Sequence, residues 1–141
     1  MKSSTRIALL TLLFCLPSQQ PLLAQACQDM ESMVGSYTKG ITELVGTVKK
    51  ESLEDFQKAY HQKNCLTKLT LCLNIVNQVV DCYAKAAQDT TATKEQVDAA
   101  KAKRENYAKL KAKVEQDRNN LKATEAAKDA KALIAKIDLS N

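Results

Sequence analysis

His61 and Cys65 are the residues whose types and spacing come closest to a catalytic arrangement. They lie four positions apart, so on a helix they can share a face, as the base and the nucleophile of a Cys-His pair require. His61 is the one histidine of the chain, which excludes a metal site built from several histidines. The sequence also lacks a G-x-S-x-G turn, a glycine-rich loop before a helix and a Cys-x-x-Cys pair. A surface histidine beside a structural cysteine accounts for the pair more simply, and we expect no enzymatic activity and no cofactor.

Residues 1–26 have the organisation of a secretory signal peptide. Lys2 and Arg6 supply the positive start, a short apolar stretch follows, and a small-x-small cleavage site ends at residue 26. No later segment approaches the ~20 uninterrupted apolar residues that span a bilayer, so we expect no membrane span. We predict a secreted, extracellular protein whose mature chain begins at Cys27. A bacterial lipoprotein anchor on Cys27 is an alternative, which Ala24 disfavours because a leucine-like residue is expected there.

The remainder, residues 27–141, is long enough for a single domain with a modest core. It contains 19 of the 21 basic residues and all 16 acidic ones, a net charge of +3, which is too small for a dedicated nucleic-acid binder. It has no proline, and its three glycines all lie between residues 35 and 46. Helices separated by capped polar turns are the simplest interpretation. We therefore predict an all-α fold, a small disulfide-stapled bundle of four to five helices.

Hydrophobic periodicity predicts where these helices lie. They are expected over residues 29–49, from 53 to a break near 65–67, over 66–87, over 94–118 and over 121–137. The first carries an apolar stripe from Met30 to Val48 spaced 4, 3, 4, 3 and 4. The second is expected to begin at a capping box of Ser52 and Asp55 and to point three side chains inward: Leu53, Phe56 and Tyr60. The third is apolar on most sides, which predicts burial by its neighbours.

The boundaries of the fourth helix rest on two polar signals. Thr93 and Gln96 form a capping-box pattern at its start. The pair Asn119 and Asn120 predicts a corner at its end. If that corner does not form, residues 94–138 become one rod of about 67 Å at 1.5 Å per residue.

The mature chain keeps four cysteines, which are predicted to form disulfides with an open pairing: Cys27, Cys65, Cys72 and Cys82. Each possible pairing includes at least one bridge between two of the last three. On one straight helix those three lie ~10 Å or more apart, whereas a disulfide needs Cα atoms within about 7 Å. Either the helix is broken between two of them, or they bond to another chain, or two stay free. We favour a break near 65–67, with Cys65 in the turn.

Two features can carry binding. Four basic residues recur along the predicted fourth helix and form what we call the basic stripe: Lys101, Arg104, Lys111 and Arg118. The basic stripe can meet an acidic protein or a sulfated polysaccharide; the alternative is a solvated face kept soluble by neighbouring carboxylates. The apolar interior around the third helix can hold a lipid or another small hydrophobic ligand, for which the alternative is ordinary core packing.

A family resemblance adds to this picture. The chain has a leader that ends before Cys27, about 115 helical mature residues, four cysteines with three clustered centrally, no Asn-x-Ser/Thr sequon and an Ala/Lys/Glu-rich C-terminal part. In this organisation it resembles the small four-cysteine salivary proteins of blood-feeding anopheline mosquitoes that include albicin and anophensin. The resemblance spans the mature chain and transfers no binding residue to a position here.

The resemblance implies a secreted, non-enzymatic salivary inhibitor of a host plasma cascade. One target is the alternative complement pathway, through a convertase held in an unproductive complex; the other is contact activation with kallikrein-kinin release. The partners would be host plasma proteins, either complement convertase components or contact-system factors. Two rival hypotheses are a secreted helical carrier of a small hydrophobic ligand or lipid, and a membrane-lytic amphipathic protein. The cysteine framework argues against the second, because lytic helices need freedom to open.

Overall fold

A computed structural model describes residues 22–50, 52, 54–123 and 127–140. Within these ranges the chain forms four helices: α1 (Leu22–Lys50), α2 (Asp55–Ala86), α3 (Lys94–Lys122) and α4 (Ala127–Ile134). A disulfide joins Cys27 to Cys82. The prediction of an all-α, disulfide-stapled helical bundle is confirmed. Most of the predicted signal peptide, residues 1–21, lies outside the described residues, whereas residues 22–26 are the beginning of α1.

Helix α1 follows its predicted apolar stripe. Val34, Ile41, Leu44 and Val48 are buried, and the other two members of the stripe, Met30 and Tyr37, pack partly buried against the core. The helix begins earlier than residue 29, because the residues from 22 onward are good helix formers. Its three glycines lie off the stripe, as the periodicity indicated.

Helix α2 runs without interruption through the predicted break near 65–67, so that prediction is wrong. The reason is a continuous buried stripe, spaced 4, 3, 4, 3 and 4 and made of Cys65, Leu69, Cys72, Val76, Val79 and Tyr83. The two cysteines serve as apolar members of this stripe. Tyr60, which was expected to point inward, is 66% exposed. The side chains of Leu53 and Phe56 lie outside the described residues. The capping contact at the start of the helix also differs from the predicted Ser52 box, since the Glu54 backbone N–H donates to the Gln57 side chain at 2.8 Å.

Helix α3 has the predicted start and a different end. The Gln96 backbone N–H donates to the Thr93 hydroxyl at 3.3 Å, and the Thr93 N–H donates to the Gln96 side chain at 2.9 Å, which confirms the capping box. The predicted corner at Asn119 and Asn120 is wrong, because α3 continues to Lys122 and buries Leu121 on the face that carries Leu110 and Val114. The alternative rod over 94–138 does not form either, since α4 packs back against α2.

Helix α2 is the centre of the bundle. It packs against α1 on one side, against α3 on the other and against α4. Helices α2 and α3 contain 32 and 29 residues and are about 48 and 44 Å long. They pack side by side along most of that length. Ala130 and Ile134 of α4, followed by Ile137 and Leu139, bury the remaining apolar face. None of the helices in the described ranges is long and apolar enough to cross a membrane.

Candidate functional site

The structure pairs only two of the four mature cysteines. Cys27 and Cys82 join the beginning of α1 to the end of α2, with Cα atoms 5.7 Å apart. Cys65 and Cys72 are free thiols and fully buried. They lie two turns apart on one continuous helix, about 10 Å along its axis, too far to bond to each other. Of the three alternatives the structure shows the one in which two cysteines stay free, and the expectation of a disulfide at Cys65 and Cys72 is corrected.

The His61 and Cys65 pair does not form a catalytic arrangement. Burial raises the pKa of the Cys65 thiol to about 12, and the carboxylate of Asp117 acts in the same direction. A protonated, buried thiol is neither nucleophilic nor accessible at neutral pH. The edge of the His61 ring meets the ring of Tyr60, with centroids 5.5 Å apart. In the part of the chain that the structure describes, no group of three or more His, Cys, Asp or Glu side chains could hold a metal ion.

The basic stripe lies on α3, but its members are not equivalent. Lys101 and Arg118 are 17 residues apart, or about 25 Å along the helix. Toward the beginning of α3 the cations have acidic neighbours: Lys101 lies 3.7 Å from Asp98, and Lys109 lies 2.9 Å from Glu105. We call residues 95–109 the paired half of α3. These four side chains are more than half exposed, so each pair contributes little to stability.

Arg118 lies in a groove between α2 and α3 that we call the basic groove. It has a volume of about 530 Å³ and is lined by Lys63, Leu66, Thr67, Thr70, Leu71, Arg118 and Lys122. Three of these lining residues are cations, and no carboxylate lines the groove among the residues that the structure describes. Two are leucines, and Leu71 is 42% exposed. The basic groove therefore combines an apolar floor with positive charge at its rim.

Sequence reasoning missed the basic groove, although a signal for it exists. No aspartate or glutamate occurs between residues 56 and 80, so the exposed face of α2 along the groove has no negative charge of its own. Arg118 is held in place here: its Nη2 donates to the Asn119 side chain at 3.3 Å, and its Nε is buried without a partner among the described residues.

The opposite end of the bundle, which we call the disulfide end, holds a polar cluster beside the Cys27–Cys82 bond. The Lys103 ammonium lies 3.0 and 3.3 Å from the two carboxylate oxygens of Glu31. The rings of Tyr83 and Tyr107 stack with centroids 6.3 Å apart, and both rings lie near the Glu31 carboxylate. Burial, and then the negative charge of Glu31, raises the pKa of Tyr107 to about 12 and that of Tyr83 further. The Glu31 carboxylate thus joins α1 to α3 through Lys103 and lies near Tyr83 of α2.

A cavity of about 300 Å³ adjoins the disulfide end. Its apolar wall is made of Leu23, Tyr83 and alanines that include Ala86 and Ala100. The alanines create the space, because larger side chains at the same positions would fill it. A hydrophobic ligand in the interior around the predicted third helix was one alternative, and ordinary core packing was the other. Buried side chains fill that interior, and this cavity lies at the end of the helix instead.

No family model matches the chain, and comparison with curated proteins and with solved structures likewise gives no match.

Proposed function

We propose that this protein is a secreted, non-enzymatic salivary inhibitor of a host plasma cascade that acts by protein-protein binding. The cascade is either the alternative complement pathway at its convertase or contact and kallikrein-kinin activation. The proposal combines the family resemblance in cysteine pattern, size and helical organisation with the surface chemistry of α2 and α3. It needs no catalytic residue and no cofactor.

The observation that carries the proposal is the positive charge at the basic groove, which has no ion-pair partner within 4.0 Å in the described part of the chain. Lys63, Arg118 and Lys122 line a surface made by two long helices whose backbones are fixed by the core. A rigid surface loses little conformational freedom when it binds, so more of the contact energy appears as affinity. A standard interface buries about 800 Å² on each partner, which adjacent helix faces of this length can supply.

The proposal is tested by haemolysis through the alternative complement pathway, run beside activation of plasma kallikrein on a negatively charged surface. The disulfide-intact protein should inhibit one of the two at sub-micromolar concentration. Inhibition should follow the stoichiometry of a complex, because the protein binds its target and does not turn over. An inhibitor that acts as an enzyme would instead continue to inactivate its target at a small molar ratio. Lack of inhibition in both assays would contradict the proposal.

The cavity at the disulfide end favours a second candidate function, a carrier of a small hydrophobic ligand or lipid. Its volume suits a ligand of modest size, and Tyr83 and the alanines offer an apolar wall. Removal of the predicted leader would take Leu23 out of that wall and widen the opening. A carrier should increase the fluorescence of 1-anilinonaphthalene-8-sulfonate, and Ala99→Phe at the rim should abolish the increase. Ala108→Phe, on the same helix away from the cavity, serves as the matched control.

A further inference from the structure

We propose that the basic groove binds an acidic amphipathic segment of the partner protein. One or two apolar side chains of that segment would lie on Leu66 and Leu71, and its flanking carboxylates would meet Lys63, Arg118 and Lys122. This inference rests on the proposed function for its setting, and it names the chemistry of the partner and the place of contact. An amphipathic helix suits the site, because the apolar face of such a helix packs into a hydrophobic groove between two other helices.

The positive charge of the basic groove indicates that the partner segment carries negative charge. Lys63, Arg118 and Lys122 make no ion pair within 4.0 Å in the part of the chain that the structure describes. Glu115, on a neighbouring turn of α3, is exposed and forms no ion pair there either. An incoming carboxylate therefore does not have to displace one that is already bound. Three of the four cations in the paired half of α3 have a carboxylate within 4.0 Å, which is one turn away for Lys101 and Lys109 and is Glu31 of α1 for Lys103.

The apolar floor distinguishes a protein segment from other polyanions. Leu71 is one of few large apolar side chains that remain exposed among the described residues, and Leu66 is partly buried beside it. Sulfated polysaccharides and nucleic acid backbones supply anions but no aliphatic group to cover these leucines. Thr67 and Thr70 line the same groove. Apolar contact flanked by ion pairs is the composition of a protein interface with a hydrophobic centre and a polar rim.

The undescribed N-terminal segment of this chain does not complement the basic groove. Residues 1–21 contain Lys2 and Arg6 and no carboxylate. The chain as a whole has a net charge of +5, so a second copy would also approach against overall repulsion. These charges favour a partner that is acidic in its own right.

The test is a titration of the isotope-labelled, disulfide-intact protein, observed through its backbone amide NMR signals. The probe is a synthetic helical peptide with leucines on one face and glutamates on both flanks; a matched peptide has serine at each leucine position. We expect saturable shifts of the amides in residues 63–71 and 118–122. The serine peptide should bind about tenfold more weakly, because it leaves the leucines uncovered.

Four outcomes would overturn the inference. The first is a perturbation centred on the paired half of α3, and the second is no perturbation at the basic groove at any peptide concentration. The third is equal binding of the serine peptide, of a heparin oligosaccharide or of phosphatidylserine vesicles, since that would show recognition of charge alone or of a lipid surface. The fourth is concentration-dependent broadening of the groove signals without peptide, since a second copy would then be the occupant.

Two charge-reversal variants locate the contact. Lys63→Glu combined with Lys122→Glu changes the basic groove, and Lys101→Glu combined with Lys109→Glu makes the same charge change in the paired half. Arg118 is left intact because it is partly buried. The groove variant should lose about tenfold or more in peptide affinity and the control less than about threefold, since exposed charges act mainly on their own contacts. Equal losses in the two variants would refute a localised contact.

The same variants separate failure of this inference from failure of the proposed function. If the wild-type protein inhibits a plasma cascade and the groove variant inhibits equally well, the inference fails and the proposed function stands. If the peptide binds at the basic groove while the wild-type protein inhibits neither cascade, the proposed function fails and the groove remains a binding site. Loss of inhibition in the groove variant alone supports both.

Discussion

The two ends of this bundle differ in whether their charged side chains have partners of opposite charge. At the disulfide end, the side chain of Glu31 is 17% exposed and forms an ion pair with Lys103 near Tyr83 and Tyr107. At the basic groove, Lys63 and Lys122 have no carboxylate partner in the described part of the chain. Polar groups that satisfy one another inside a fold contribute to its stability, whereas charges left unmatched at a surface are available to a partner. The comparison suggests that one end holds the structure together and the other binds.

The largest effect is expected from removing the covalent bond at the disulfide end. Cys27→Ala combined with Cys82→Ala opens a loop that spans 55 residues and should lower the free energy of unfolding by about 4 kcal/mol. Urea denaturation monitored by circular dichroism measures the loss. A reducing agent should destabilise the wild-type protein by a similar amount and leave the variant unchanged. An unchanged midpoint in the variant would show that the disulfide end does not hold the bundle together.

The second-largest loss of stability is expected at alkaline pH, which should destabilise the disulfide end and the core. The pKa of Cys72 is raised from 9.0 to about 11 and that of Cys65 from 9.0 to about 12, both mainly by burial. The folded protein therefore keeps protons that the unfolded chain releases, so stability is fully present below about pH 9 and falls as the pH rises through 11 and 12. Tyr107, whose pKa is raised from 10.0 to about 12, adds to this loss.

Urea denaturation between pH 7 and pH 11 tests the alkaline loss. Cys65→Ala combined with Cys72→Ala should be less stable at pH 7, because it removes buried volume. Its decline with rising pH should nevertheless be shallower than that of the wild type. In the folded wild-type protein both thiols should react with a thiol reagent at pH 8 far more slowly than in urea. Equal rates in the two states would contradict the burial of the thiols.

A smaller loss of stability is expected from Glu31→Gln. The substitution removes the charge that pairs with Lys103 and raises the pKa of Tyr83 and Tyr107, and the free energy of unfolding should fall by about 1–2 kcal/mol. The pKa of Tyr107 should move from about 12 toward 10.0 without reaching it, because the ring stays buried. An ultraviolet absorbance titration follows the tyrosines. Glu43→Gln, at an exposed position of α1, is the control and should leave the titration curve unchanged.

The smallest effect on stability is expected at the basic groove. Lys63→Ala combined with Lys122→Ala removes two cations that make no ion pair in the described structure, and the free energy of unfolding should change by less than about 0.5 kcal/mol. Thermal unfolding beside the wild type measures this. A loss as large as that of Glu31→Gln would show that these lysines have a structural role, and the contrast between the two ends would disappear.

Local patterns in the sequence predicted the elements whose signals are contained in a single helix. The stripe from Met30 to Val48 predicted α1, and the pair of Thr93 and Gln96 predicted the start of α3, because periodicity and capping depend on residues within one or two turns. The helix break near Cys65 was predicted wrongly, since the cysteines were assigned to disulfides and not to the apolar stripe that they extend. The corner at Asn119 was predicted wrongly because burial of Leu121 outweighs the weak helix propensity of asparagine.

The sequence by itself determined an all-α chain with a stapled core, since the absence of proline after residue 21, apolar periodicity and cysteine content are properties of the chain alone. Only the tertiary structure decided which cysteines pair, because a disulfide requires proximity of residues far apart in sequence, and α1 brings Cys27 to Cys82 while α2 holds Cys65 and Cys72 apart. The tertiary structure also decided which charged side chains have a partner of opposite charge. Glu31 comes near residues of two other helices, and Lys63 and Arg118 come to line one groove, only once the helices have packed.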